Sequence, residues 1–172
     1  LYLYETKITD AGLVHLKGLT KLETLYLDST QVTDAGLVHL QELTNLTNLD
    51  LQQSQITDAG LVHLKDMTNL QALVLGGTQV TDAGLVHLEG LNNLRWLHLY
   101  ETKITDAGLV HLKGLTNLEF LWLYGTKVTD AGIAELQEAL PNCKIKKYPR
   151  CPSCRRCESE NPRVLFSDFA SK

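Results

Sequence analysis

The sequence predicts an α/β solenoid, with a curved parallel β-sheet on the concave face and short helices on the convex face. Three observations predict it. One nine-residue segment recurs at a fixed 24-residue spacing. The leucines around that segment fall at strand spacing on one side and at helix spacing on the other. No single unit has enough apolar surface to bury itself, so the units must stack to form a core.

The repeat is close to exact. ITDAGLVHL occupies residues 8–16, 56–64 and 104–112, VTDAGLVHL occupies 32–40 and 80–88, and a weaker copy, VTDAGIAEL, occupies 128–136. The whole unit reads LxxLxLxxTx(I/V)TDAGLVHLxxLTN, complete at 22–45, and there are about six of them, the first truncated. In LxxLxL, alternate leucines such as Leu25 and Leu27 share one face of a short strand. In TDAGLVHLxxL, Thr33 is placed to cap a short helix and Asp34 sits at its positive end. Ala35, Val38 or Leu37, and Leu40 are expected to face inward. Strands stack at ~5 Å while helices need roughly 8–10 Å, so the stack must bend with the strands inside.

This unit resembles the leucine-rich repeat family, over residues 1–148. Its TDAGL variant is similar to repeats of the ribonuclease-inhibitor type, including those of F-box substrate receptors and bacterial GALA-like proteins. The resemblance implies a non-catalytic protein–protein interaction module. As an alternative it implies the substrate-recognition part of a ubiquitin-ligase receptor, which requires an F-box that these residues do not contain. One position departs from the family: where Asn often follows LxxLxLxx, this chain has Thr6, Thr30, Ser54, Thr78, Thr102 and Thr126. A hydroxyl still bonds to backbone, with fewer hydrogen bonds than an amide.

The chain's internal variation points to a surface. Residues 1–20 and 97–116 differ only at Tyr2 against His98. Between 21–36 and 117–132 the TDAG framework is unchanged, while Thr24 becomes Phe120, Tyr26 becomes Trp122 and Asp28 becomes Tyr124. These positions alternate with the buried leucines and so face the concave side. Three columns cross the sheet there: Thr24, Asn48, Ala72, Trp96, Phe120; Tyr2, Tyr26, Asp50, Val74, His98, Trp122; and Tyr4, Asp28, Gln52, Gly76, Tyr100, Tyr124. Trp96, His98, Tyr100, Phe120, Trp122 and Tyr124 form one block, with Gly76 and Gly77 expected to leave a recess beside it. Aromatics with polar tips dominate binding hot spots, and the competing reading is rings that only stack on the sheet. Tyr2, Tyr4 and Tyr26 form a smaller group at the other end.

Other chemistry is poorly supplied. His15, His39, His63, His87 and His111 form a helical column whose members lie too far apart for the ~2.0–2.1 Å bonds of a shared zinc ion. The aspartates Asp10, Asp34, Asp58, Asp82, Asp106 and Asp130 recur at helix starts, where the helix dipole accounts for them. No phosphate loop, HExxH or GxSxG occurs. No enzyme activity and no cofactor are expected, and no apolar run is long enough to cross a bilayer.

The C-terminal end differs in kind. Residues 1–143 hold 8 Lys/Arg against 17 Asp/Glu, and residues 144–172 hold 8 against 3. A basic, Cys-containing cap or tail over 149–172 is therefore expected beyond a solenoid over 1–148. Cys143 takes a core leucine position, and the same register would carry Lys144, Lys146 and Tyr148 into the concave columns. Basic residues would then edge the aromatic block and favour an acidic partner or a ligand with a phosphate. Cys151, Cys154 and Cys157 have a metal or redox spacing but are three where a closed zinc site needs four. Val164, Leu165, Phe166 and Phe169 are candidates to fold back over the last repeat. The chain opens at Leu1 inside a repeat, so a fragment or a processed product is expected. Localisation is left open, with the cytoplasm favoured. A monomer that binds a protein is the expected state; the acidic body disfavours nucleic acid.

Overall fold

The computed structural model describes residues 1–147. Tyr148, the 149–172 tail, Cys151, Cys154, Cys157 and the apolar residues 164–169 lie outside the described residues. Six strands, β1 (Thr24–Tyr26), β2 (Asn48–Asp50), β3 (Ala72–Val74), β4 (Trp96–His98), β5 (Phe120–Trp122) and β6 (Lys144–Lys146), form one parallel sheet in chain order. Every register step is one repeat: Thr24, Asn48, Ala72, Trp96, Phe120 and Lys144 are successive partners. Tyr2 bridges to Tyr26 and adds the truncated first unit to the ladder.

Between strands the chain makes one helical turn that tightens. Helices α1 (Asp10–Leu13), α2 (Asp34–Leu37), α3 (Asp58–Leu61), α4 (Asp82–Leu85) and α5 (Asp106–Leu109) each continue into a 3₁₀ turn over the following Val-His-Leu. The last, α6 (Asp130–Ala139), is a longer α-helix. Thr33, Thr57, Thr81 and Thr105 cap their helices as expected, each hydroxyl accepting from the amide two residues on at 3.2–3.3 Å. Leu37 and Leu40 are buried, while Val38 and Ala35 are exposed and Gly36 is buried instead of Ala35. A four-residue turn has only one inner side, and Gly36 lies on it.

The reason Gly occupies that side is the aspartate of the preceding repeat. Asp10 Oδ1 accepts from the Thr33 amide at 2.8 Å and its Oδ2 accepts from the Thr33 hydroxyl at 2.7 Å. The same pair of bonds joins Asp34 to Thr57, Asp58 to Thr81, Asp82 to Thr105 and Asp106 to Thr129. A Cβ on Gly36, Gly60, Gly84, Gly108 or Gly132 would overlap that carboxylate. The helix-dipole role expected of these aspartates is thus secondary. Their main work is to clamp each repeat to the next, and TDAG is the motif of an inter-repeat bond.

A second ladder runs beside the strands. Asn45, Asn69, Asn93 and Asn117 donate to backbone carbonyls of the preceding unit at 2.7–2.9 Å. The hydroxyls at the family's Asn position stay within their own repeat: Thr30, Ser54, Thr78, Thr102 and Thr126 each donate to the leucine carbonyl three residues back at 2.5–2.6 Å. One apolar core threads all the units, from Leu13 to Cys143. Each fully buried leucine in it contributes about 1.5–3 kcal/mol.

Candidate functional site

The concave columns align as the repeat register requires, but their side chains are packed rather than presented. Trp96 is 8% exposed, Tyr100 5%, Trp122 4% and His98 0%. The expected exposed block of six is therefore corrected: four members are buried, and Phe120 and Tyr124 are half-buried. The cause is a second apolar layer on the concave side, in which Trp96, Tyr100 and Trp122 pack with Ala72 and Val74 while Tyr26, Phe120 and Tyr124 lean against them. Small residues on β3 make room for large ones from β4 and β5.

Ring geometry shows how the layer is built. Trp122 lies against His98 with ring centroids 3.9 Å apart, and Phe120 stacks on Trp122 at 5.5 Å. Tyr124 stacks on Tyr100 at 4.6 Å with planes 5° apart. Gly76 does not leave a recess. A Cβ there would overlap the Tyr100 ring, which lies across the glycine and donates its hydroxyl to Gln52 Oε1. Gln52 is two strands away, so Tyr100 straps β2 to β4. Burial, then the neighbouring Tyr124 and Asp50, pushes the Tyr100 phenol above its ordinary range and keeps it a neutral donor. The space beside Gly77, whose φ of 69° places it in the left-handed region, holds the Gln53 side chain.

The rim of this layer is polar and charged. Arg95 sits 4.5 Å over the Trp96 ring and pairs with Glu119 through two bonds of 2.7 and 2.5 Å. Sequence reasoning missed this pair, although Arg95 and Glu119 occupy one repeat position with opposite charges. On the far side, β6 forms and brings Lys144 beside Phe120 and Lys146 beside Trp122, in the expected register. The Lys144 ammonium lies 5.0 Å over the Phe120 ring. Asp28 and Asp50, at the opposite end, are nearly buried, and Asp50 accepts from the Gln52 amide at 2.9 Å. Near the N-terminus Tyr2 meets Tyr26 edge-on at 5.0 Å, while Tyr2 and Tyr4 are about half exposed, at 55% and 49%.

The histidine column serves the convex surface. His63 meets the Gln41 amide at 2.6 Å and His111 meets Glu89 at 2.6 Å, each reaching one repeat back. Among the described residues no three His, Cys, Asp or Glu side chains are placed to hold a metal ion. No helix among them is long and apolar enough to cross a membrane. Cys143 is a buried free thiol whose burial pushes its pKa up to about 12.

Known families recognise the same units. Residues 44–104 match the family described as Leucine rich repeat, residues 92–137 one described as Leucine Rich repeats (2 copies), and residues 18–40 a further Leucine Rich repeat family. The chain is a leucine-rich repeat protein. Those descriptions name the repeat and no ribonuclease-inhibitor or GALA-like subtype. Among solved structures it is similar to an internalin (inlF) from Listeria monocytogenes, with a TM-score of 0.71 and 27% identity over 86% of this chain. It is also similar to internalin C2 (inlC2) of the same organism, with a TM-score of 0.64 and 25% identity over 88% of this chain. The chain spans 40% of the length of the first of these and 74% of the second. No curated protein sequence matches it. Family and neighbours together support a protein-interaction module of this leucine-rich repeat chain.

Proposed function

We propose that this leucine-rich repeat protein binds a protein partner on its concave face, over β4, β5 and β6. The observation that carries the reading is the departure of the chain from its own repeat. Where the framework positions are copied unit after unit, the inward strand positions change to Trp96, His98, Tyr100, Phe120, Trp122 and Tyr124. These residues divide the work. The buried Trp96, His98, Tyr100 and Trp122 form a rigid base, and the half-buried Phe120 and Tyr124, edged by Lys144 and Lys146, supply the contact. Rigid aromatic anchors lose little entropy on binding, which suits them to this use. Tyr2, Tyr4 and Tyr26 form a second, smaller contact surface at the other end. The ubiquitin-ligase alternative rests on the resemblance of the TDAGL variant alone.

The test compares two faces of one protein. Phe120→Ala with Tyr124→Ala is expected to abolish recovery of a partner in affinity capture from source extract. Val38→Ser with Val110→Ser on the convex side is expected to leave recovery unchanged. Equal recovery with the concave pair, its fold intact by circular dichroism, overturns the reading.

A further inference from the structure

We propose that the rim of the solenoid, where the chain turns into each strand, carries a second binding site: a groove for an extended, neutral β-linked glycan that lies along the repeat axis with one sugar to each repeat. The site is separate from the concave face and does not depend on a partner being bound there.

The groove has a stretch of about 600 Å³ from Lys21 to Asn93 and continues through one of about 300 Å³ to Glu119, the two meeting at Gln71 and Asn93. Every side chain lining it is polar, and its charges cancel, with Lys21 and Arg95 against Glu23 and Glu119. Two rows build it. In the first, Asn45, Asn69, Asn93 and Asn117 each tie the amide nitrogen to a backbone carbonyl one repeat back. That bond fixes the amide plane and leaves the oxygen as an acceptor, to which nothing among the described residues donates. In the second row, Thr47, Gln71, Arg95 and Glu119 are joined backbone to backbone at 2.8–2.9 Å. The rim therefore keeps the ~4.8 Å pitch of the sheet. At its centre the Gln71 side-chain amide makes no hydrogen bond among the described residues.

A row of neutral acceptors at fixed pitch selects its ligand by charge and by repeat length. Phosphates would set oxygen against oxygen along the asparagine row, which argues against nucleic acid. A polycation would meet the acceptors but also Lys21 and Arg95. An extended peptide presents like-facing groups every two residues, roughly 6.6–6.8 Å apart, and falls out of step with a ~4.8 Å pitch after one repeat. An extended β-linked hexopyranose chain advances by nearly one strand spacing per sugar and stays in step. Its hydroxyls both donate and accept, so they answer the asparagine oxygens and the Gln71, Lys21 and Arg95 donors together. From Lys21 to Glu119 the rim covers four register steps, roughly 19 Å at this pitch, which holds about five sugars. No aromatic ring lines the groove, so hydrogen bonds rather than stacking carry the binding.

The test titrates the full chain by isothermal calorimetry with cellohexaose and with N-acetylchitohexaose, two straight β-linked chains. Cellobiose, the curved α-linked maltohexaose, spermine and an oligothymidylate are the other arms. At least one straight hexasaccharide is expected to bind, about tenfold tighter than cellobiose or maltohexaose, with little dependence on salt. Gln71→Ala is expected to weaken it about three- to tenfold, as the loss of one or two neutral hydrogen bonds would. Gln71→Trp, which fills the groove where its two stretches meet, is expected to abolish binding, with the circular dichroism spectrum of both variants unchanged. Silence with both straight hexasaccharides overturns the proposal. Equal affinity for maltohexaose, or tighter binding of spermine or the oligonucleotide, overturns it too. Undiminished binding by Gln71→Trp puts the sugar elsewhere on the molecule and also overturns it.

Discussion

Replacing Asp58 and Gly84 together tests whether TDAG is an inter-repeat bond or a property of each helix. Asp58 accepts from the Thr81 amide at 2.7 Å and from the Thr81 hydroxyl at 2.6 Å, both partly buried. Bonds to a charged acceptor are worth ~1.5–3 kcal/mol each, and partial exposure lowers the pair to about 2–3 kcal/mol for Asp58→Ala. Gly84→Ala acts through the same carboxylate. Its Cβ overlaps Asp58 Oδ1 and comes within 3.0 Å of Leu61 Cδ1, so the carboxylate must leave Thr81. The backbone of Gly84 is ordinary helix, where Ala gains about 0.5–1 kcal/mol over Gly. In the native background Gly84→Ala is therefore expected to cost about 1–2 kcal/mol, the lost bonds outweighing the propensity gain. In the Asp58→Ala background the carboxylate obstruction is gone, only the contact with the end of the Leu61 side chain remains, and the same substitution becomes close to neutral, a coupling of roughly 1–2 kcal/mol. Urea unfolding followed by far-ultraviolet circular dichroism reads all four corners of the cycle. An equal cost of Gly84→Ala in both backgrounds would refute the clamp.

Further substitutions probe the concave layer, the acid limb and the core. Gly76→Ala forces the Tyr100 ring off β3 and should cost about 2 kcal/mol, whereas Tyr100→Phe keeps the ring, loses only the bond to Gln52 and should cost about 1 kcal/mol. Thermal unfolding of the two variants checks that order. The Asp106 carboxyl is held below its usual range by the Thr129 hydroxyl, then by the Thr129 amide, with Lys147 adding a smaller pull. Its contribution is complete above the unfolded carboxylate pKa and is lost as pH falls through the lowered folded value. Asp106→Asn should accordingly flatten the acid side of a stability-against-pH curve, and an unchanged slope counts against it. With Cys151, Cys154 and Cys157 replaced by Ser, Cys143 should react with a thiol reagent at pH 8 only as the protein unfolds, since its thiol is buried and pushed up to about 12. Immediate labelling of the native protein would contradict its place in the core.

The fold was legible because the repeat is nearly exact: the same register that aligns Thr24 with Asn48 on paper aligns them in the sheet. Exactness also hid something. When every unit carries both Asp and Thr, the sequence does not say whether an aspartate serves its own helix or the next unit. Only the structure shows the bond from Asp34 to Thr57. Burial on the concave side was hidden for a different reason. Alternation with the leucines places Tyr100 inward, but its exposure depends on what its neighbours leave open. Gly76 lets the ring lie flat, and Gln52 anchors its hydroxyl from two strands away. The Gly76 recess inferred from residue size was filled by that long-range contact. Lys144 and Lys146, in contrast, needed only the 24-residue register to be placed.

Site-specific photo-crosslinking reads whether a protein partner sits on the inner face over β4 to β6. A photoreactive phenylalanine analogue is placed singly at positions 120 and 124 on the concave side and at positions 38 and 110 on the convex side, and each protein is irradiated in source extract. One discrete adduct is expected from positions 120 and 124 and none from 38 and 110. Adducts from the convex positions alone would put the partner on the other face and overturn the concave reading.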